Sequence, residues 1–506
     1  MPNKKEKFFI STALPYVNSV PHLGFALEIV QADVLARWHR LQGEDVFFLT
    51  GTDENSLKNV LAAKKEKLSV RELVDRNAKK FYALKDALNL SFDDFIRTTQ
   101  RRHIKGAQNL WMACQKDIYK KNYKGLYCVG CEAFLKEDEL ENGCCPEHRK
   151  KPELIEEENY FFKLSKYQEK IKKLIKDARV ELIPQTRKKE ILSFINQGLE
   201  DICVSRSSKR AQGWGIDVPQ DLSQKMWCWF EALGNYITAL GYGKASVTFE
   251  EFWQRNENKL HVIGKGVVRF HAVYWIGFLL SAGLSLPNKV FVHGYVTSYG
   301  QKMSKSLGNV VDPFELVKKY GTDAVRYFLL REISPFEDGD FTQEKFETRY
   351  NSDLAKGLGN LVARIITLGE KSKINPAKAG QKSRLRQGFG GQAKINENGF
   401  KIIDETQKKY KVALENFNFN EALGAIWELI GFYDRYIDKT RPWEKSEKQL
   451  ELIKNLLSAL FNIAQFLQPL LPQTSEKIFS QLGVKPKTIK PLKFRVKKSG
   501  VLFPKL

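Results

Sequence analysis

An apolar, strand-like segment at residues 8–13 runs into a turn around Pro15. It is followed by Leu23, Leu27, Val30, Val34, Trp38 and Leu41 at steps of three and four. Those steps describe one apolar face of a helix. Gly43 ends that helix, and residues 46–49 form a second strand that delivers Thr50, Gly51, Thr52 and Asp53. Strand, helix, strand is an α/β unit, and its apolar elements require a layered, mostly parallel sheet. Ligands bind at the carboxyl ends of such strands, so the loops at residues 14–22 and 51–53 are expected to share one crevice.

The 506 residues exceed what one hydrophobic core serves, and two to four domains are expected. From about residue 119 to 221 the pattern changes to short, irregular segments, which we read as an insertion. The α/β pattern resumes with a helix-like segment at 227–240, a strand at 260–263, a helix to Leu280 and a strand at 290–292. Beyond Phe346, Leu354, Leu358, Leu361 and Ile365 form one helical stripe, and Leu452, Leu456, Leu457, Leu460 and Phe461 another, which predicts a helical bundle. The expected organisation is an α/β core in two halves, 1–118 and 222–345, split by the insertion 119–221 and followed by a bundle at 346–506. Within the bundle, residues 371–396 lack acidic side chains and include the Gly-, Gln- and Arg-rich stretch Ser383 to Ala393. We read them as a flexible loop joining two helices, with an RNA-touching arm as the other reading.

A formal charge of +23, from 82 basic and 59 acidic residues, is compatible with a polyanionic partner and equally with a generally lysine-rich proteome. No run of 18 to 20 apolar residues is present, and Lys4, Lys5 and Lys7 lead directly into the first strand. Neither a membrane span nor secretion is expected, which leaves the cytoplasm. Four of the seven cysteines lie between Cys128 and Cys145, with the others scattered, so the cluster reads as a metal site in a reduced compartment. Cys128-x-x-Cys131 followed by Cys145-Pro-Glu-His148 suits one tetrahedral zinc with three thiolates and an imidazole, with Cys144 an ambiguous neighbour. Four protein ligands leave no open position, so the ion would be structural.

Two short segments are candidates for phosphate chemistry. Pro21-His22-Leu23-Gly24 precedes the first helix, where an imidazole and a glycine suit phosphate at a helix N-terminus, although a cap and a turn would look the same. Lys302-Met303-Ser304-Lys305-Ser306 places two lysines three residues apart in a loop after the strand at 290–292, able to meet one polyphosphate. In this order, at opposite ends of a split α/β core, the pair resembles the two signatures of the class I aminoacyl-tRNA synthetases. Residues 13–18 (ALPYVN), 50–54 (TGTDE), 158–162 (ENYFF) and 292–296 (VHGYV) resemble the methionyl-tRNA synthetase family in particular.

That resemblance runs from about Phe8 to Phe503. It implies a Rossmann-type doubly wound catalytic core split by a zinc-knuckle insertion, then a helical anticodon-binding domain. Methionine would be activated with ATP and Mg2+ and esterified to tRNA(Met), without a covalent enzyme intermediate. By resemblance, Leu14, Tyr16, Trp229, Ala232 and Tyr236 line the methionine side-chain pocket together with Val267, Phe270, His271 and Trp275, and Asp53 takes the α-ammonium group. His22 would stabilise the transition state, and Lys302 and Lys305 would hold the β- and γ-phosphates. Asn18, Gly24, Glu28, Gly264 and Gly294 complete the ATP site, and Asn360, Arg364 and Trp443 meet the anticodon. The family's Cys-Pro-x-His pattern selects Cys145 over Cys144. Because the chain ends soon after Phe503, a monomer is expected.

The chain departs from the family pattern at three places, four residues in all. Phe25 stands where a second histidine is usual, Gly266 where an aspartate would bind the ATP ribose, and Asn55-Ser56 where His-Gly is usual. Compensation by Glu28 or Asn18 is one expectation, and a noncatalytic RNA-binding paralogue is the alternative. A relative specific for leucine, isoleucine or valine would carry a larger editing insertion.

Overall fold

The computed structural model of the chain describes residues 5–147, 149–303, 308–372, 397–486 and 494–506. These fall into two compact units, one of Met1–Lys85 with Leu90–His293, the other of Asp86–Asn89 with Gly294–Leu506.

The first unit is built on a six-stranded parallel sheet. Its strands are β1 (Lys7–Thr12), β2 (Asp45–Thr52), β3 (Asp94–Arg97), β4 (Glu181–Ile183), β5 (Lys259–Gly264) and β6 (Lys289–His293), in the order β3-β2-β1-β5-β6-β4. Helix α1 (Leu23–Leu41) crosses from β1 to β2 and is buried along most of its length. Phe9, Leu49, Ile96, Ile263, Val290 and Val292 bring the strands into one core with Trp111, Phe162 and Phe278. The chain runs one way from β1 through β2 to β3, while β5 lies on the other side of β1. The sheet order thus reverses at β1, and the carboxyl ends of β1 and β5 open a crevice there.

Residues 119–221 are more regular than their sequence pattern suggests. Ile118–Cys128 and Glu153–Phe162 form a long antiparallel ladder, flanked by Ala133–Leu135 and Ile202–Cys203. One strand is lysine-rich and the other glutamate-rich, with Lys120 against Glu158 (3.2 Å) and Lys124 against Glu156 (3.4 Å). Cross-strand charge pairing of this kind leaves no alternation of apolar residues to read. The same stretch returns to the main sheet at β4, a three-residue edge strand too short to carry a periodic signal.

In the second unit, Val296–Ser298 pairs in parallel with Gly339–Phe341 and antiparallel with Gln301–Lys302. Two helices follow, Pro313–Tyr320, capped by Asp312, and Thr322–Arg331. The fully buried Arg326 donates to the carbonyls of Leu88, Pro469 and Leu470, which explains why Asp86–Asn89 belongs to this unit. Without the guanidinium, each buried carbonyl left unpaired would cost about 1–3 kcal/mol.

A wide helical turn at Tyr350–Gly359 continues into Asn360–Lys371 and buries Leu354, Leu358, Leu361 and Ile365, the expected stripe. Glu397–Glu415, Phe419–Thr440, Gln449–Leu467 and Pro472–Leu482 complete the bundle. Gln449–Leu467 is long and apolar enough to cross a membrane, but it buries Leu456, Leu457, Leu460 and Phe461 inside the bundle, as a core helix does. The stretch Ser383 to Ala393 lies outside the described residues.

Candidate functional site

The loops after β1 and β2 meet. Asp53 N donates to Pro15 O at 2.9 Å, and Tyr16 and Asp53 form an isolated parallel bridge. His22 is the N-cap of α1, with extended backbone and its Nδ1 accepting from Gly24 N at 3.1 Å. A Cβ on Gly24 would sit 2.9 Å from the imidazole, so glycine there is what lets the ring fold over the helix start. The ring reaches solvent, yet the surrounding protein atoms lower its pKa by desolvation. Nδ1 accepts an N–H, so the proton of the neutral ring is on Nε2, leaving a free-standing donor beside the helix N-terminus.

Asp53 is buried, and the hydrogen bond to its carboxylate is from Asn55 N at 3.2 Å. Among the described residues no cation pairs with it. Desolvation, together with the nearby Glu231 and Glu132, pushes its pKa well above the usual carboxylate range. A cationic ligand would relieve that cost.

Around this carboxylate the aromatic residues form a wall. Trp229 stacks on Phe270 with centroids 3.8 Å apart and meets Tyr16 edge-on at 6.0 Å. Tyr236 Oη donates to His271 Nε2 at 2.7 Å, while His271 Nδ1 donates to Val267 O at 2.9 Å. Burial lowers the His271 pKa to about 4, so this side of the pocket is uncharged at neutral pH. Trp275 and Ala232 are buried beside it, and Leu14 is half-buried. Such a surface is apolar, polarisable and adaptable, as an unbranched thioether requires.

Of the residues that depart from the family pattern, Phe25, Asn55 and Ser56 make packing or hydrogen-bond contacts. Phe25 is buried edge-on against Phe81 at 5.3 Å, packed into the core of the first unit. Asn55 Nδ2 donates to Glu231 Oε1 at 3.0 Å, and Ser56 caps helix α2 (Leu57–Glu66). Glu231 in turn meets His103 Nε2 at 2.6 Å. Burial lowers the His103 pKa to about 3 and raises that of Glu231, which favours a neutral pair. Gly266 is exposed in the turn Lys265–Val267. Both Glu28 oxygens are engaged by protein, Oε1 by Ala13 N (2.9 Å) and Oε2 by His293 Nε2 (3.0 Å). Asn18 is half-buried in the loop after β1. A Cβ on Gly264 would be 3.9 Å from Glu28 Oε2, so this glycine borders that cluster.

In the insertion, the sulfurs of Cys128, Cys131 and Cys145 lie within 4.8 Å of one another, with Cys131 and Cys145 3.5 Å apart. Thiolates bound tetrahedrally to zinc at about 2.3 Å would be roughly 3.8 Å apart, so the cluster fits. Burial raises the Cys128 and Cys131 thiol pKa values, and a divalent cation would supply the positive charge that stabilises thiolates there. Cys145, and not its neighbour Cys144, brings its sulfur to the cluster. His148 lies outside the described residues.

In the second unit, a Cβ on Gly294 would meet Glu337 O at 2.1 Å, so main-chain packing demands glycine. Lys302 is exposed, its Nζ 5.0 Å from the Tyr295 ring centroid, and Lys305 lies outside the described residues. Asn360 is exposed and Trp443 is 52% exposed. Arg364 is held by Asp434 at 2.6 Å and by Asp438.

Sequence reasoning missed the buried polar residues behind the pocket: Glu132, Arg206, Cys228, Glu231 and His103. The available signal was an acidic residue inside the otherwise apolar run CWFEAL and another directly after Cys131.

A parallel sheet with a reversal at β1, a histidine-capped helix and a split core are the marks of the class I tRNA synthetases. The family model "tRNA synthetases class I (M)" matches residues 8–151 and 137–366, and that for the anticodon-binding domain of tRNA ligases matches residues 400–499. A methionine–tRNA ligase of Thermotoga maritima is 39% identical, covering 98% of this chain and 78% of the relative. One of Brucella suis is 40% identical, covering 95% and 92%. Mycobacterium tuberculosis methionyl-tRNA synthetase in complex with methionyl-adenylate superposes with a TM-score of 0.89 at 34% identity, covering 99% of this chain and 100% of that one. The chain belongs to the methionine–tRNA ligase family.

Proposed function

We propose that this chain activates L-methionine with ATP to methionyl-adenylate and transfers the methionyl group to the 3′ end of tRNA(Met). The observation that carries this reading is Asp53, a buried carboxylate without a cation among the described residues, at an aromatic pocket beside the His22 cap. Asp53 takes the α-ammonium group, and Tyr16, Trp229, Tyr236 and Phe270 enclose the thioether. The methionine carboxylate then attacks the α-phosphorus of ATP, pyrophosphate leaves, and His22 Nε2–H donates to the phosphate oxygen that gains charge. Lys302 and Lys305 hold the leaving phosphates, with Mg2+ accompanying the nucleotide. Zinc on Cys128, Cys131, Cys145 and His148 would supply structural cross-linking.

Glu28 is already committed to Ala13 and His293, so we assign it to holding the end of β1, with Asn18 the remaining candidate to replace the ribose contact. Phe25 is a core residue and does not argue against catalysis. Methionine-dependent exchange of labelled pyrophosphate into ATP tests the reading. Exchange well above the methionine-free blank is expected, and exchange at the blank level from folded protein would reject it.

Asn360, Arg364 and Trp443 are assigned to the anticodon. An exposed indole suits stacking on an unpaired base, worth about 1–3 kcal/mol. Trp443→Ala is therefore expected to lower kcat/KM for tRNA charging by roughly 5- to 150-fold. Pyrophosphate exchange, which needs no tRNA, should remain at the wild-type level. Equal loss in both assays would remove Trp443 from the tRNA interface.

A further inference from the structure

Glu132 has no part in the chemistry above, yet it touches both sides of the site. It follows Cys131 directly, is fully buried, and adopts the left-handed backbone at φ 54°. Oε1 accepts from Ser56 Oγ at 2.5 Å and Lys58 N at 3.3 Å, at the N-cap and first turn of α2, just after the Asp53 loop. Oε2 accepts from Arg206 Nη2 at 2.7 Å and Cys228 Sγ at 3.0 Å. Two tryptophans are gripped by adjacent carbonyls of the same turn, Trp227 Nε1 by Glu132 O at 2.6 Å and Trp229 Nε1 by Cys131 O at 3.3 Å. Cys228 Sγ lies 3.7 Å from Tyr16 Oη, and the Lys58 ammonium is 4.8 Å from the centroid of the Tyr16 ring.

We propose that Glu132 is a positioning residue for methionine, through which the cysteine knuckle sets the spacing between the Asp53 loop and the Trp229–Tyr16 wall. The inference rests on the methionine reading of the pocket. Its physical basis is that the turn is fixed on one side by Cys131, while its buried carboxylate, paired with Arg206, bridges two elements far apart in the chain. Outer partners of this kind hold side chains in the productive geometry, and their loss relaxes a site. The bonds made by Glu132 reach the amino-acid side of the crevice and none reaches His22, so amino-acid binding should respond and nucleotide binding should not.

The test compares zinc-loaded wild type, Glu132→Gln and Cys228→Val. Methionine affinity is measured by intrinsic tryptophan fluorescence and by calorimetry, the ATP KM by pyrophosphate exchange, and zinc per chain by mass spectrometry. Glu132→Gln is expected to keep its zinc, weaken methionine binding about tenfold and leave the ATP KM within about twofold. Cys228→Val keeps Glu132 and the knuckle but loses the sulfur beside Tyr16, and should weaken methionine about threefold. Unchanged methionine affinity in folded, zinc-loaded Glu132→Gln, or equal loss of methionine and ATP affinity, overturns the proposal. If Glu132→Gln does not fold, unchanged methionine affinity in Cys228→Val overturns it. Failure of the wild type to bind methionine would instead defeat the reading of the pocket, a result distinguishable from any variant's behaviour.

Discussion

Asp53→Asn is expected to lower methionine-dependent pyrophosphate exchange by about 10²–10³-fold, with the loss in methionine KM and kcat/KM and little change in the KM for ATP. The substitution keeps shape and removes charge. An α-ammonium brought into a buried site with no carboxylate to meet it is a stranded charge, which costs about 3–5 kcal/mol. The carboxylate pays a desolvation cost in the empty protein, visible as its raised pKa. The sign of the pH dependence follows. In the empty site Asp53 keeps its proton above the usual carboxylate range, and the ammonium needs the ionised form, so binding methionine releases a proton. Methionine affinity should rise with pH through the raised Asp53 pKa and then level off. Calorimetry in two buffers of different ionisation enthalpy measures that release, and a buffer-independent heat would contradict it. The same linkage acts on stability. An acid with a raised pKa binds more protons folded than unfolded. The contribution of Asp53 to stability therefore falls as pH rises from the ordinary carboxylate range through the raised value, and bound methionine offsets the loss.

His22→Asn is expected to leave the protein folded and lower kcat for exchange by about 10²–10³-fold, the effect of removing one preorganised donor from a developing oxyanion. Asparagine is a good N-cap, so it can replace the bond that His22 Nδ1 makes to Gly24 N, whereas alanine would cost about 1 kcal/mol there. What asparagine lacks is the reach of Nε2–H. The lowered pKa of the ring keeps it neutral near pH 7, so in the proposed reaction it would act as a directed donor and not as a point charge on ground-state ATP. The loss should accordingly be in kcat, with the ATP KM changed by no more than about threefold. A variant whose exchange rate stays within about threefold of wild type would place the transition-state donor elsewhere.

Features carried by local spacing were readable from the chain alone. The apolar steps from Leu23 to Leu41 become a buried helix, and the stripe from Leu354 to Ile365 faces the bundle core. Cys128, Cys131 and Cys145 come together because a Cys-x-x-Cys turn and a returning loop bring three thiols to one point. Phe25 reads differently in sequence and in structure. As a letter in a signature it stood for a lost hydrogen bond, but against Phe81 it is a packed core side chain.

By itself, the sequence determined the α/β core, the helical bundle and the cysteine spacing of the knuckle, because each is written in residues a few positions apart whose period or identity is meaningful locally. Only the tertiary structure decided that β4 joins the main sheet, that Asp86–Asn89 belongs with Gly294–Leu506, and that Glu132 reaches Ser56, Arg206 and Cys228. Those contacts join residues separated by tens to hundreds of positions, and a buried ion pair or a three-residue edge strand leaves no periodic trace in the chain that makes it. The crevice opened by the first strand and helix could thus be located from sequence, while the buried polar network around Glu132 behind its aromatic wall emerged only from the fold.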